Sequence, residues 1–241
     1  MKTRIQLHLV LIAALIFILF FARTTQAPIN KEIPIVTPTP HTDFKEISRL
    51  NPAKKQVVLT VNAGFGKRSA EGILSALKKH NYKTTFFLVG EWVEDHPELT
   101  RRIAADGHEI FNHSYAHPDY TKISAEEIKV DLQKMDDVLF DVAGLRTRPY
   151  YRAPFGYRNK AVNDAAAEVG FQHIYWSVDS IDWREGETGA SIKKRILDHI
   201  HPGAIVLLHI GDLPTGEIMD ELITEIKARG YELVSLTEGL R

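Results

Sequence analysis

The stretch Asn112-His113-Ser114-Tyr115-Ala116-His117-Pro118 contains two histidines four residues apart, directly after a run of strand-forming residues, 109–112. Side chains at this spacing face the same way on one turn of helix, so the two imidazoles can bind one metal ion. A lone histidine is more often an ordinary polar residue. The pair therefore predicts a metal site only if other segments bring polar groups to the same place.

Composition limits both the architecture and the chemistry. The chain has 241 residues, of which 44% are hydrophobic, enough for one sizeable core and one catalytic domain. Its net charge is -1, with no basic run outside the extreme N-terminus, which argues against nucleic acid as a partner. Because there is no cysteine, only His, Asp and Glu remain as plausible metal ligands.

The N-terminal segment, residues 1–27, predicts export. Lys2 and Arg4 precede an apolar run, 9–22, and the small residues of Thr25-Gln26-Ala27 suit signal-peptidase cleavage. Counted from Ile5, the apolar run approaches the roughly 20 residues of a membrane span. A cleaved signal peptide and a membrane anchor both remain open, and either would place the rest of the chain on the cell-wall side of the membrane.

Two further regions follow. Residues 28–52 contain five prolines and predict an extended linker. In residues 53–241, short β-type runs alternate with helical patterns, which predicts an α/β domain with a stacked or closed parallel sheet. The predicted strands are 56–61, 84–89, 109–112, 150–152, 173–178, 204–209 and 232–235, and the predicted helices are 69–80, 97–106, 124–142, 159–169, 190–199 and 216–228.

Polar residues follow or end many of these strands. In a parallel barrel the carboxyl ends of the strands share one face, where chemistry collects. A purely structural origin would scatter such residues between both ends of the strands, so the clustering predicts one functional site. The residues concerned are Asn62, His113, His117, Arg152, Asp179, Asp182 and His209.

The segments that carry these residues resemble the polysaccharide deacetylase family, the NodB-homology domain of carbohydrate esterase family four, over residues 55–240. The matching segments are 113–118, 152–155, 176–183 and 205–209. The resemblance implies a distorted (β/α) barrel of about seven parallel strands. It also implies removal of N-acetyl, or sometimes O-acetyl, groups from peptidoglycan or a chitin-like polymer with a divalent metal, zinc being the expected ion.

The resemblance also implies a role for each residue. His113 and His117 would be metal ligands, and His209 would be the general acid. Asp182 would orient His209, with Asp179 as the alternative, and Arg152 would face the catalytic base. The remaining residues would line the acetyl pocket or shape its loop: Leu207, Trp183, Pro154 and Phe155. For Trp183, ordinary core packing is an equal alternative.

The first family segment departs from this pattern. The family has Thr-Phe-Asp-Asp-Gly, whereas this chain has Thr60-Val61-Asn62-Ala63-Gly64. Asn62 stands at the base position and Ala63 at that of the third metal ligand. An amide does not accept a proton near neutral pH, and a methyl group does not bind metal.

Three functional hypotheses follow from this departure. The first is a deacetylase in which a nearby carboxylate (Asp179, Asp182 or Glu187) replaces the missing acids. The second is an inactive relative that binds wall glycan in an aromatic-lined groove. The third is a partner-binding protein at the membrane surface, which leaves the histidines unexplained.

Overall fold

The computed structural model describes residues 46–241, so the predicted signal peptide or anchor and the linker up to residue 45 lie outside the described residues. Strands and helices alternate, and every strand pair in the sheet is parallel. The sheet has eight strands. Seven of them form a continuous curled half-barrel, which confirms the predicted α/β barrel class, and the eighth pairs with the first. The strands are β1 Gln56–Ala63, β2 Thr85–Leu88, β3 Glu109–Asn112, β4 Tyr150–Tyr151, β5 Gln172–His173, β6 Val178–Asp179, β7 Ala204–Ile210 and β8 Glu232–Leu233.

Helices cover this sheet. A capping box forms at the start of the longest helix described, where Ser124 and Glu127 each accept a hydrogen bond from the other's backbone N–H. Two short helices, Gly90–Asp95 and Leu236–Gly239, were not predicted. The helices are α1 Ala70–Lys79, α2 Gly90–Asp95, α3 Pro97–Ala105, α4 Ala125–Ala143, α5 Lys160–Glu168, α6 Gly189–His199, α7 Thr215–Ala228 and α8 Leu236–Gly239.

The sheet runs in the order β5-β4-β3-β2-β1-β7-β6, and β8 pairs with the start of β1. Strand β1 extends two residues beyond its predicted end, so Asn62 and Ala63 lie within the strand. In the register with β7, Asn62 is opposite His209. This pairing places the segment that differs from the family pattern, Asn62-Ala63, next to the predicted general acid, His209.

The prediction of one continuous strand over 173–178 is wrong. The segment contains two short strands, β5 and β6, which pair with β4 and β7 at opposite ends of the sheet. The reason is a third partner, Ile47, which donates its N–H to His173 O at 3.0 Å and accepts the Tyr175 N–H at 2.8 Å. Residues 47–49, where the chain enters the domain, therefore bridge to Ile174 near one end of the curled sheet and to Ala204 near the other. We call this position the seam.

Residues 47–50, which lie inside the predicted linker, pack as part of the domain. Arg49 forms an isolated bridge with Ala204, and Leu50 N donates to Gly203 O at 2.8 Å. The Leu50 side chain is only 3% exposed and packs in a cluster with Val58 and Ile205. Within residues 46–241, the helices are too short or too polar for any of them to cross a membrane.

We expect Leu50→Ala to lower the free energy of unfolding by about 2–5 kcal/mol, because it removes a buried side chain and leaves a cavity. Urea denaturation of the chain from residue 44 onward measures this loss. Lys54→Ala, at an exposed position nearby, serves as the control and should change little. Equal stability of the two variants would contradict a structural role for the entering segment.

Candidate functional site

A cavity of about 560 Å³ opens where the carboxyl ends of the strands meet. Eight of the residues predicted from the sequence line it, so the predicted convergence on one place is what the structure shows. Arg152 and Asp182 are fully buried, and neither they nor the buried Pro154 are part of the lining. The predicted residues in the lining are Asn62, His113, His117, Phe155, Asp179, Trp183, Leu207 and His209.

The two histidines do not lie on a helical turn, so this part of the prediction is wrong. Residues 113–119 form a loop after β3, in which Ser114 and His117 have positive φ angles of 72° and 54°. Asn112 Oδ1 accepts from Ser114 N, and Ser114 Oγ accepts from His117 N, both at 2.8 Å. These side chains satisfy the loop backbone and bring the two imidazole rings to 4.9 Å, edge to face.

A closed ring of hydrogen bonds connects two lining residues, Asn62 and His113, with the buried Arg152. Arg152 Nη1 donates to Asn62 Oδ1 at 2.8 Å, and Asn62 Nδ2 lies 3.0 Å from His113 Nε2. His113 Nδ1 lies 2.9 Å from the backbone oxygen of Arg152. That oxygen can only accept, so Nδ1 carries the proton and Nε2 accepts from the Asn62 amide.

Burial dominates the electrostatics of Arg152. It lowers the pKa of the guanidinium to about 9, while the negative charge of Asp179 acts in the opposite direction. The guanidinium also donates to the backbone oxygens of Ile174 and Tyr175 and lies 4.1 Å from the Phe87 ring centroid. No carboxylate forms a hydrogen bond with Arg152 in the described part of the chain, so Asn62 Oδ1 stands in for the missing acid.

His113 and His117 are both held neutral. Burial, followed by the proximity of His117, lowers the pKa of His113 well below its usual value. Burial, followed by the proximity of His209, lowers the pKa of His117 to about 4. Neutral imidazole is the form that binds metal, so the protonation state by itself would permit ligation.

The donor set nevertheless does not fit the divalent metal that the resemblance implies. Ala63 offers a methyl group where a third ligand is needed, and the free lone pair of His113 is already used by Asn62. His117 Nδ1 is buried without a hydrogen-bond partner in the described region. Over residues 46–241, no three His, Cys, Asp or Glu residues are placed to hold one ion together.

The opposite side of the cavity retains an acid–imidazole pair. Asp182 Oδ1 lies 2.7 Å from His209 Nδ1, and its Oδ2 accepts from His209 N at 2.8 Å and from Thr215 Oγ1 at 2.7 Å. Burial alone would raise the pKa of the Asp182 carboxyl, but the hydrogen bonds and charge of His209 lower it below its usual value. An ionised Asp182 thus holds the His209 ring in place through its Nδ1.

The three carboxylates proposed as replacements for the missing acids lie in different environments. Asp182 is fully engaged with His209 and Thr215. Glu187 forms a bidentate ion pair with Arg195, at 2.8 and 2.9 Å, and is not in the cavity lining. Asp179 is the carboxylate that lines the cavity, and its Oδ1 accepts from Ile181 N.

Exposed aromatic side chains form the rim of the cavity. Trp183 is 55% exposed, so it lines the cavity and is not a core residue. Sequence reasoning missed Phe65, which is 72% exposed, together with Tyr157 and Trp176. An aromatic residue between two glycines, Gly64-Phe65-Gly66, just after a central strand was an available signal for the first of them.

The loop that carries Phe155 is built to present it. Phe155 has φ of 56°, a strained conformation for an aromatic residue, and its ring packs 4.4 Å from that of His117. Gly156 follows with φ of 71°, and a Cβ atom there would lie 2.5 Å from Trp176. Strain of this kind persists where the surroundings hold it, and it clusters at binding sites.

A curled parallel sheet with clustered imidazoles and a buried acid–imidazole pair at the strand ends defines a hydrolase-type α/β domain. The family model described as polysaccharide deacetylase matches residues 49–174. The chain belongs to the polysaccharide deacetylase family. This confirms the family predicted from the sequence; deacetylases of this family are generally metal-dependent.

Individual relatives agree with this assignment. The chain is 40% identical to the uncharacterized protein YlxY of Bacillus subtilis, over 78% of this chain and 58% of that protein, so it spans little more than half of that relative. It is 34% identical to the peptidoglycan-N-acetylmuramic acid deacetylase PdaA of B. subtilis, over 78% of this chain and 72% of PdaA.

A solved structure is informative about the altered site. The chain matches BA3943 of Bacillus anthracis, described as a CE4 family pseudoenzyme, with a TM-score of 0.77 and 35% identity over 86% of this chain and 70% of that one. A BA3943 mutant is described as having restored enzymatic activity, and it matches this chain with the same TM-score. Loss of activity within this fold therefore has a solved example.

We expect the stability of the protein to fall as the pH is lowered from about 6.5 towards 4. The unfolded chain takes up a proton at His117 near pH 6.5, whereas the folded chain does so only near pH 4. His117→Asn should reduce this slope by up to about 1.4 kcal/mol per pH unit, measured by urea denaturation across the range. Trp183→Ala, which removes no titrating group, should retain the wild-type slope; equal slopes for all three proteins would contradict the neutral burial of His117.

Proposed function

We propose that this protein is a polysaccharide deacetylase-like protein that binds N-acetylated cell-wall glycan, with peptidoglycan as the substrate class, in the aromatic-rimmed cavity. The relatives named as peptidoglycan deacetylases support the substrate class. The chemistry of the cavity supports binding over turnover. A neutral amide and a methyl group occupy the positions of the base and the third ligand, and loss of a general base alone typically costs about a hundred- to ten-thousandfold in rate.

The placement of the exposed aromatic residues carries this proposal. Six large hydrophobic side chains are exposed in the described part of the chain, and four of them line this one cavity: Phe65, Phe155, Tyr157 and Trp183. Exposed apolar groups that cluster at one opening indicate a binding surface. The aromatic rings can pack against sugar rings, while the cavity behind them has room for an acetamido group.

Slow deacetylation is the second candidate function. The intact His209–Asp182 pair favours it, because such a pair can protonate a leaving amine. Water attack would then depend on Asp179, the cavity carboxylate. Acetate release that disappears in Asp179→Asn would support this candidate.

We also propose that the protein acts on the cell-wall side of the membrane, either secreted or anchored. The support is the sequence of residues 1–27, in which Lys2 and Arg4 precede an apolar run. The peptidoglycan deacetylases among its relatives are consistent with this location.

Glycan binding should depend on the rim. We expect Trp183→Ala and Phe155→Ala each to lower the affinity for the N-acetylglucosamine tetramer by about two- to tenfold, since each removes one aromatic contact. Titration calorimetry measures this loss. Phe140→Ala is the matched control, an exposed aromatic residue on α4 outside the cavity. Unchanged binding in both rim variants would contradict the proposed surface.

Restoring the two acids should restore metal binding and deacetylation. Asn62→Asp with Ala63→Asp supplies a base paired with Arg152 and a third ligand beside His113 and His117. We expect zinc binding by calorimetry and at least about a hundredfold gain in acetate release from N-acetylglucosamine oligomers.

The control for this restoration is His113→Ala in the doubly substituted protein, which should abolish both gains. A wild-type protein that binds zinc tightly and releases acetate as fast as the double variant would favour the rearranged deacetylase instead.

A further inference from the structure

We propose that Asn62 takes the place of a metal ion in substrate recognition: its free amide hydrogen donates to the carbonyl oxygen of the bound N-acetyl group. The protein would thus recognise the acetyl group without any metal. This inference rests on the proposed function, because it concerns how the same cavity recognises the N-acetyl group of the glycan.

The orientation of the Asn62 amide is fixed by its neighbours. Arg152 is a donor only, so the atom 2.8 Å from its Nη1 must be the oxygen of the amide. The amide nitrogen then faces His113 Nε2 at 3.0 Å. The backbone oxygen of Arg152 holds His113 in the tautomer that accepts this bond. A flipped amide would break both contacts at once.

One hydrogen of this nitrogen remains available. Asn62 Nδ2 carries two hydrogens, and His113 takes one of them; within residues 46–241 the other has no protein acceptor. Asn62 is 4% exposed and lines the cavity. A buried N–H hydrogen without an acceptor is costly, so a ligand whose acceptor atom reaches this hydrogen binds more tightly.

An acetamido group supplies such an acceptor. Its carbonyl oxygen accepts hydrogen bonds, and its methyl group can pack against Leu207, an apolar residue of the cavity lining. An amide donor polarises a carbonyl far less than a metal ion does, and it delivers no activated water. The same substitution therefore favours recognition of the acetyl group and disfavours its hydrolysis.

The test variant is Asn62→Asp, studied with the chain from residue 44 onward in EDTA. The aspartate retains an oxygen for Arg152 but has no N–H donor. We expect the affinity for the N-acetylglucosamine tetramer to fall about three- to tenfold, the usual worth of one hydrogen bond. In saturation-transfer NMR, the signal of the acetyl methyl should fall relative to the sugar-ring protons.

Trp183→Ala provides the contrast, because loss of a rim contact should weaken the methyl and ring-proton signals together. Wild-type affinity and an unchanged methyl signal in Asn62→Asp would overturn the inference while leaving glycan binding intact.

A second measurement needs no variant. The affinity of the wild-type protein for the tetramer should be the same in EDTA and in zinc. A requirement for zinc would overturn the inference alone. No binding of the tetramer in either condition would instead refute the proposed function.

Discussion

The fully buried guanidinium of Arg152 is the constraint on which the rest of the site depends. A cation without solvent must have its donors satisfied, and here all the acceptors are neutral oxygens: those of Asn62, Ile174 and Tyr175. All three acceptors lie outside the strand that Arg152 follows: Asn62 is in β1, and Ile174 and Tyr175 follow β5. One side chain thereby connects β1, the end of β4 and the seam, and its own backbone oxygen sets the tautomer of His113.

The two sides of the cavity differ from the family's residue pattern to different degrees. Around His209 the groups needed to hold an acid are present, including the buried Asp182 and its bond to Thr215. Around Asn62 the two carboxylates of the family segment are absent, but the neutral amide of Asn62, similar in shape to a carboxylate, completes the hydrogen-bond ring with Arg152 and His113. Replacing a carboxylate by its amide thus abolishes proton acceptance while preserving the packing. This explains how the fold can persist without the full set of acids.

Much of this could be predicted from the sequence, because strand-forming runs and polar residues at their ends are local signals. Strand β3 and the convergence of Asn62, His113 and His209 followed from such signals. The histidine loop was mistaken for a helix because a four-residue spacing does not report the side chains of Asn112 and Ser114 that hold the loop. The split of 173–178 depends on Ile47, more than a hundred residues away, and no local pattern encodes that pairing.

The seam gives the domain a mechanical property. Tyr175 donates its N–H to Ile47 of the entering chain, and its carbonyl accepts from the buried Arg152. A pull on the chain ahead of Ile47 would load the same peptide segment that positions the guanidinium. A displacement of Ile47 and the alignment of the Asn62 amide are therefore linked through two residues, Tyr175 and Arg152.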